Sequence, residues 1–116
     1  GTYFLPRLIG RQKASAIMML GDKITAMEAE RLGMIYTYFE DSVFPAELEK
    51  IVATLASLPT ISLAFTKQAL QLSATQSLAA QLEMEDTFQQ MAAATEDFKE
   101  GVQAFLEKRP AKFKGI

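Results

Sequence analysis

Cysteine, histidine and tryptophan are absent from this 116-residue sequence, and two of those absences remove whole classes of chemistry. Without cysteine there is no disulfide, no thiol nucleophile and no thiolate metal site. Without histidine the usual general base near neutral pH and the commonest zinc ligand are missing as well. Glycine (6) and proline (4) are sparse, which excludes collagen-like and low-complexity chains. No apolar run approaches the roughly 20 residues that a bilayer-spanning helix needs, and no basic stretch leads into an apolar one at the start. Neither sign of charge dominates: twelve basic residues stand against fourteen acidic, a net charge of -2. Neither nucleic acid nor membrane is therefore an expected partner.

What is present is apolar and patterned. Hydrophobic residues make up 49% and charged residues 22%, the balance of one folded domain, and a chain of this length buries roughly two thirds of its unfolded surface. One hydrophobic core is expected. The charge is unevenly placed, because Lys108, Arg109, Lys112 and Lys114 crowd the last nine residues while all the acids lie before them. The chain opens on Gly1-Thr2 and runs at once into Tyr3-Phe4-Leu5, which reads as a piece of a longer chain.

Helical periodicity dominates. Ala14, Ile17, Met18, Met19 and Leu20 form a stripe within Arg11 to Leu20, with Gly21 as a stop. Thr25-Ala26-Met27-Glu28 has the form of a capping box, opening a short helix that ends at Gly33. Ile35 to Phe39 is β-branched and aromatic and too short for a helix, so an extended segment or an unpartnered strand is expected. Ser42 is placed to cap the next helix, with Pro45 in its first turn and Leu48, Ile51, Val52, Leu55 and Leu58 on one face up to Pro59.

Thr60 is placed to cap another helix, through Ile61, Leu63, Ala64, Phe65, Ala69 and Leu70, with Lys67 and Gln68 on its wet side. Thr75 or Ser77 opens the longest, through Leu78, Leu82, Met84, Phe88 and Met91 to about Ala94. Thr95, followed by Glu96 and Asp97, caps a last helix carrying Phe98, Val102, Phe105 and Leu106, and Arg109-Pro110 breaks it before an irregular tail. The expected architecture is all-α, five or six helices with short loops, without repeat or linker.

Reactive groups are scarce. Glu83, Glu85 and Asp86, then Glu96, Asp97 and Glu100, are the acidic clusters, and each sits where a solvated helix face or a helix N-terminus uses it without chemistry. No calcium loop, Gly-x-Ser-x-Gly elbow, Gly-x-Gly-x-x-Gly turn or Walker pattern occurs, so no metal is expected and no serine has an activating base. The six methionines read as core filler, with a groove for a flexible apolar ligand as the sharper alternative. The tail is the stronger signal. Phe105, Lys108, Arg109, Lys112, Phe113 and Lys114 interleave aromatic and basic groups, which suits an anionic ligand with a stacking or greasy portion. A basic end that only keeps the chain soluble is the alternative.

Three segments in order resemble the enoyl-CoA hydratase/isomerase, or crotonase, superfamily, in its C-terminal part. Gly1-Thr2-Tyr3-Phe4-Leu5-Pro6-Arg7-Leu8-Ile9-Gly10 with Ala14 resembles the entry into the family's helical region. Gly21 to Ile35, centred on Ile24-Thr25-Ala26-Met27-Glu28-Ala29, is similar to its helix-turn pattern, and Glu96 to Pro110 resembles its closing helix and tail. The resemblance spans residues 1 to 116. It implies the helical oligomerisation and CoA-closing region of a longer cytoplasmic hydratase (a lyase) or isomerase of acyl-CoA metabolism, assembled as trimers or hexamers, with coenzyme A thioester as substrate and no resident cofactor.

The family's catalytic equipment, two backbone amides that hold the thioester carbonyl and acidic side chains that move protons, is by that resemblance upstream of Gly1. No catalytic residue is expected in these 116 residues, and the chain alone is expected to be inactive. By the resemblance, Phe105 and Lys108 match the tail positions that reach the acyl-CoA bound by an adjacent subunit, the ring packing near the ligand and the ammonium meeting phosphate. Tyr3-Phe4-Leu5-Pro6 resembles the ring isomerases of phenylacetate degradation, while Tyr36 stands where many members carry Asn or Asp. A reading from another class is a stand-alone helical module that self-associates through its apolar faces and has no catalytic activity. Apolar surface left open by the missing core makes association an expected property of the isolated chain.

Overall fold

Side-chain hydroxyls mark where three of the helices begin. In the computed structural model, which describes residues 1 to 116, Thr25, Ser77 and Thr95 each accept the amide three residues on, from Glu28, Ala80 and Phe98 at 3.2, 3.3 and 3.1 Å. These bonds satisfy amides that the helix itself leaves unpaired. Seven helices follow one another with no strand: α1 Leu5–Ile9, α2 Arg11–Leu20, α3 Ala26–Arg31, α4 Phe44–Ala56, α5 Thr60–Ser73, α6 Leu78–Ala93 and α7 Glu96–Glu107. The all-α expectation stands, and α1 is a seventh element beyond the six that periodicity marks. It spans only five residues and begins Leu5-Pro6, where proline's fixed φ suits a first turn.

Several local expectations are corrected. The capping box is half formed: Thr25 caps α3, but the Glu28 carboxylate turns to Arg31 and not back to the Thr25 amide. An arginine one turn ahead out-competes a neutral amide for a carboxylate. Ser42 does not open α4; the Glu40 carbonyl takes the amides of Val43 and Phe44, both at 3.0 Å, and the helix grows from that turn. Thr60 is the first residue of α5 and not its cap, a position that Pro59 holds in an extended conformation. Ile35 to Phe39 forms no strand, since no second extended segment offers it a ladder.

The chain divides into two compact units, Gly1–Glu47 and Leu48–Ile116, the boundary falling in the first turn of α4. In the first, α1 packs on α2, and the Arg7 guanidinium lies 3.7 Å over the Tyr3 ring. In the second, α4 and α5 turn by 102°, α5 packs on α6 and α6 on α7. The rings of Phe65 and Phe88 stack at 5.0 Å between α5 and α6, and Gln81 donates to the Ala69 carbonyl at 3.2 Å. No single helix is long and apolar enough to cross a membrane.

The expected core is missing. Ala14 and Ala104, each 2% exposed, are the only buried apolar residues, and no large side chain is fully buried. The helical stripes are present but uncovered: Leu48, Val52 and Leu55 of α4, Leu70 of α5, and Leu78 and Leu82 of α6 are exposed. Met18, Met19, Met27 and Met91 are exposed too, so they fill no core within this chain. The accessible surface is 9199 Å², against roughly 6,300 Å² for a self-contained folded chain of this mass. The sequence patterning is that of faces that pack against something, and these residues alone do not supply it.

Candidate ligand-binding site

The most amphipathic helix carries the site. α7 begins at Thr95, whose hydroxyl caps it, and places Phe98, Val102 and Phe105 along one exposed side. Phe105 is 82% exposed, an apolar ring open to solvent. These residues line an open apolar cavity of about 370 Å³ with Gly101, Leu106 and Phe113, its floor reaching Pro59 and Ser62 of the α5 start.

α7 ends in an uncommon way. Lys108 takes the left-handed conformation, φ 55° and ψ 38°, the one non-glycine residue with positive φ. Its amide bonds the Phe105 carbonyl, and the next amide, of Arg109, reaches back to the Ala104 carbonyl at 3.0 Å. That six-to-one bond is the Schellman closure, which glycine usually makes because an L side chain there costs about 1 kcal/mol. The Lys108 side chain is exposed and makes no hydrogen bond or ion pair. Phe105 and Lys108 lie three residues apart at the helix end; the Phe105 ring lines the cavity and Lys108 is not part of its lining.

Beyond Lys108 the tail forms no helix or strand, as expected, yet it is held in place. Residues 109 to 116 run back along α7 and are pinned twice. Glu100 accepts a forked pair of bonds from Arg109, at 2.6 and 2.8 Å, and the Lys112 amide at 2.8 Å. One turn nearer the helix start, Asp97 accepts the amides of Lys114 and Gly115 at 2.7 and 2.8 Å on its two oxygens, while its own amide donates to the Ile116 carbonyl. Asp97 is 3% exposed. Its charge is held by backbone donors, the arrangement that makes a buried carboxylate tolerable.

Electrostatics follow the same pairs. The Arg109 guanidinium, with the Lys112 amide behind it, pulls the Glu100 carboxyl down to about 2. Gln103 and Arg109 lower Glu107, and Arg109 is raised in turn by Glu100 and Glu107. Arg109 is therefore committed within the chain and is not free for an anionic ligand, a correction to its place in the aromatic and basic pattern. Lys114 is loosely paired with Glu96 at 4.0 Å. The carboxylates of Asp97 and Glu100 are corrected as well: they are tail anchors and not a solvated face. Their spacing, three residues on one helix face, matches no chemical motif, and only the amides of the returning tail give it meaning. Glu83, Glu85 and Asp86 remain on the exposed side of α6, where Gln81 bonds Glu85 and Gln90 bonds Asp86.

Against known proteins, the model of the enoyl-CoA hydratase/isomerase family matches residues 1–116. The chain is 36% identical over 115 residues to the 1,2-epoxyphenylacetyl-CoA isomerase of Escherichia coli, covering 99% of this chain and 44% of that protein. It is 39% identical over 115 residues to a probable enoyl-CoA hydratase of Rhodobacter capsulatus, covering 99% and 45%. The fold superposes on an enoyl-CoA hydratase structure from Geobacillus kaustophilus with a TM-score of 0.94 at 32% identity, covering 100% of this chain and 44% of that one. A putative enoyl-CoA hydratase structure from Streptomyces coelicolor gives 0.91 at 36% identity, covering 99% and 42%. The chain thus spans less than half the length of each of these four proteins. It belongs to the enoyl-CoA hydratase/isomerase family and corresponds to the C-terminal, helical part of the crotonase fold.

Proposed function

We propose that these residues are the oligomerisation and ligand-closing region of an enzyme that hydrates or isomerises an acyl-CoA thioester. In this reading Phe105 packs against the coenzyme and Lys108 meets one of its phosphates. The observation that carries it is the end of α7. An aromatic ring stands 82% exposed over an apolar cavity, and an unpaired lysine is held at some conformational cost beside it. Strain kept at such a position is accounted for when the side chain has work that glycine cannot do.

The chemistry belongs to the rest of the protein. The thioester carbonyl is held by two backbone amides there, which stabilise the negative charge that develops on its oxygen as an enolate forms. Acidic side chains of that part move the protons. The present residues supply binding and closure, and no resident cofactor enters the reading. The likeness to the Escherichia coli isomerase, together with Tyr3-Phe4-Leu5-Pro6, supports an aromatic acyl group of the phenylacetate type. The uncovered stripes of α4, α5 and α6 support a homo-oligomer, trimer or hexamer, because apolar surface on this scale marks an interface.

The test is coenzyme A affinity by calorimetry on the full-length protein. Phe105→Ala and Lys108→Ala are each expected to weaken binding about tenfold, the loss of roughly 1.4 kcal/mol of contact. The 116-residue chain alone is expected to turn over neither crotonyl-CoA nor an aromatic acyl-CoA. Unchanged affinity in both variants sinks the site assignment. It would leave these residues as a self-association surface that takes no part in holding the coenzyme.

A further inference from the structure

The cavity beside α7 has a wall that α7 does not own. Phe113 lies on the returning tail, and its ring comes over Gly101, where an added Cβ would meet the ring at 3.5 Å. An added methyl there would make an ordinary van der Waals contact with the ring, so the ring packs on α7 at Gly101 without requiring a glycine. At the far end Gly115 lies so near the α5 start that a Cβ would stand 2.5 Å from the Thr60 Oγ1. The tail is therefore fitted as well as pinned: Gly115 admits it beside the α5 start, and two carboxylates of α7 hold it.

We propose that residues 109 to 116 are a latched strap that completes the ligand pocket, and that Asp97 is the latch. Asp97 and Glu100 are positioning residues: Asp97 reaches the cavity lining but gives both carboxylate oxygens to the strap, and the two acids hold Phe113 in the same lining as Phe98 and Phe105. The arrangement is specific to the backbone of the strap. Asp97 binds two successive amides, a pair that any sequence other than proline provides, whereas the strap's side chains carry the wall and the positive charge. Lys112 and Lys114 are held by their own amides, and the Lys114 ammonium lies by Glu96 at the start of α7. Glu100 closes the proximal half through Arg109, so the strap is fixed at both ends of its course. The inference rests on the coenzyme reading of the cavity, which it refines by adding Phe113 as a wall and Asp97 as the group that sets it.

The test uses the full-length protein with Asp97→Asn and, as a variant that leaves the latch intact, Phe113→Ala. An amide in place of the carboxylate keeps one acceptor and turns a donor against a donor. Hydrogen exchange at the amides of Lys114 and Gly115 is expected to speed up at least tenfold in Asp97→Asn while the α7 amides stay protected. Coenzyme A affinity is expected to fall about tenfold in both variants, with the strap amides of Phe113→Ala still slow to exchange. Unchanged exchange in Asp97→Asn overturns the latch. Faster exchange with unchanged affinity, while Phe105→Ala and Lys108→Ala still weaken binding, overturns the strap as a wall and leaves the coenzyme site standing. If none of the four variants alters affinity, the coenzyme reading falls with it. Should Asp97→Asn not fold, Phe113→Ala alone decides whether the strap contributes the wall.

Discussion

α3 and α7 end in the same backbone geometry with different residues, and the chain behaves differently after each. Gly33, φ 77°, closes α3 with the Met34 amide bonded to the Ala29 carbonyl at 2.8 Å. Lys108 closes α7 by the same six-to-one bond, from Arg109 to Ala104. Past Gly33 the apolar segment through Phe39 meets no side-chain acceptor that pins its amides; its one side-chain bond is Thr37 to the Tyr38 carbonyl at 3.5 Å. Past Lys108 a more polar segment is held by five bonds to Asp97 and Glu100. What fixes a non-helical segment here is a carboxylate on a neighbouring helix, not the hydrophobicity of the segment itself. A glycine where only the turn matters, and a lysine where a side chain must project, is the pattern expected of a closure with a function.

The hardest way to break the strap side of this comparison is at Gly115. Its φ is 76°, and a Cβ there would meet the Thr60 hydroxyl at 2.5 Å, so Gly115→Ala imposes both backbone strain and overlap. A loss of about 2 to 3 kcal/mol is expected in denaturant unfolding. Adding Thr60→Ala should return the part due to overlap and leave about 1 kcal/mol due to φ. An alanine tolerated without loss would mean that the tail does not lie against α5.

Acid gives the next test. The Glu100 carboxyl is held at about 2 in the folded chain, below its ordinary 4.5, chiefly by Arg109. A depressed carboxyl contributes stability that is complete above the unfolded value and lost as pH falls through the folded one. Protection of the Lys112 amide is therefore expected to hold down to about 4.5 and to fade progressively towards 2. Glu100→Gln should flatten that dependence. An identical acid profile in the variant would assign the loss to other carboxylates.

Most of the helical map was legible in the residues. Thr25, Ser77 and Thr95 act as caps because a hydroxyl three residues before a free amide is a local matter, as is Gly21 or Gly33 at a helix end. α1 was not legible: five residues hold too little period, and only packing on α2 sustains them. Ile35 to Phe39 carried a strand composition, but a strand needs a partner that composition cannot supply. The site was half legible. Phe105 and Lys108 came from resemblance, and the structure leaves both exposed. Asp97 and Glu100 read as helix-end and surface acids because their partners are amides twelve or more residues away, for Lys112, Lys114 and Gly115. The core was misjudged for the converse reason. Periodic faces announce burial without saying which chain supplies the cover.

The gentlest test exchanges the two helix ends. Lys108→Gly removes an L side chain from the left-handed region and is expected to stabilise the chain by about 1 kcal/mol. Gly33→Ala imports the same strain into α3 and is expected to destabilise by a similar amount. Thermal unfolding of the two variants measures both. If Lys108→Gly gains stability while coenzyme A affinity falls in the full-length protein, the lysine is retained against its conformational cost, and its ammonium is the reason. If it gains stability and binding is untouched, Lys108 is only a tolerated residue at a turn, and the contrast between the two helix ends has no functional meaning. If it gains nothing, contacts of the lysine stem along α7 offset the strain, and the left-handed conformation is no mark of a site at all.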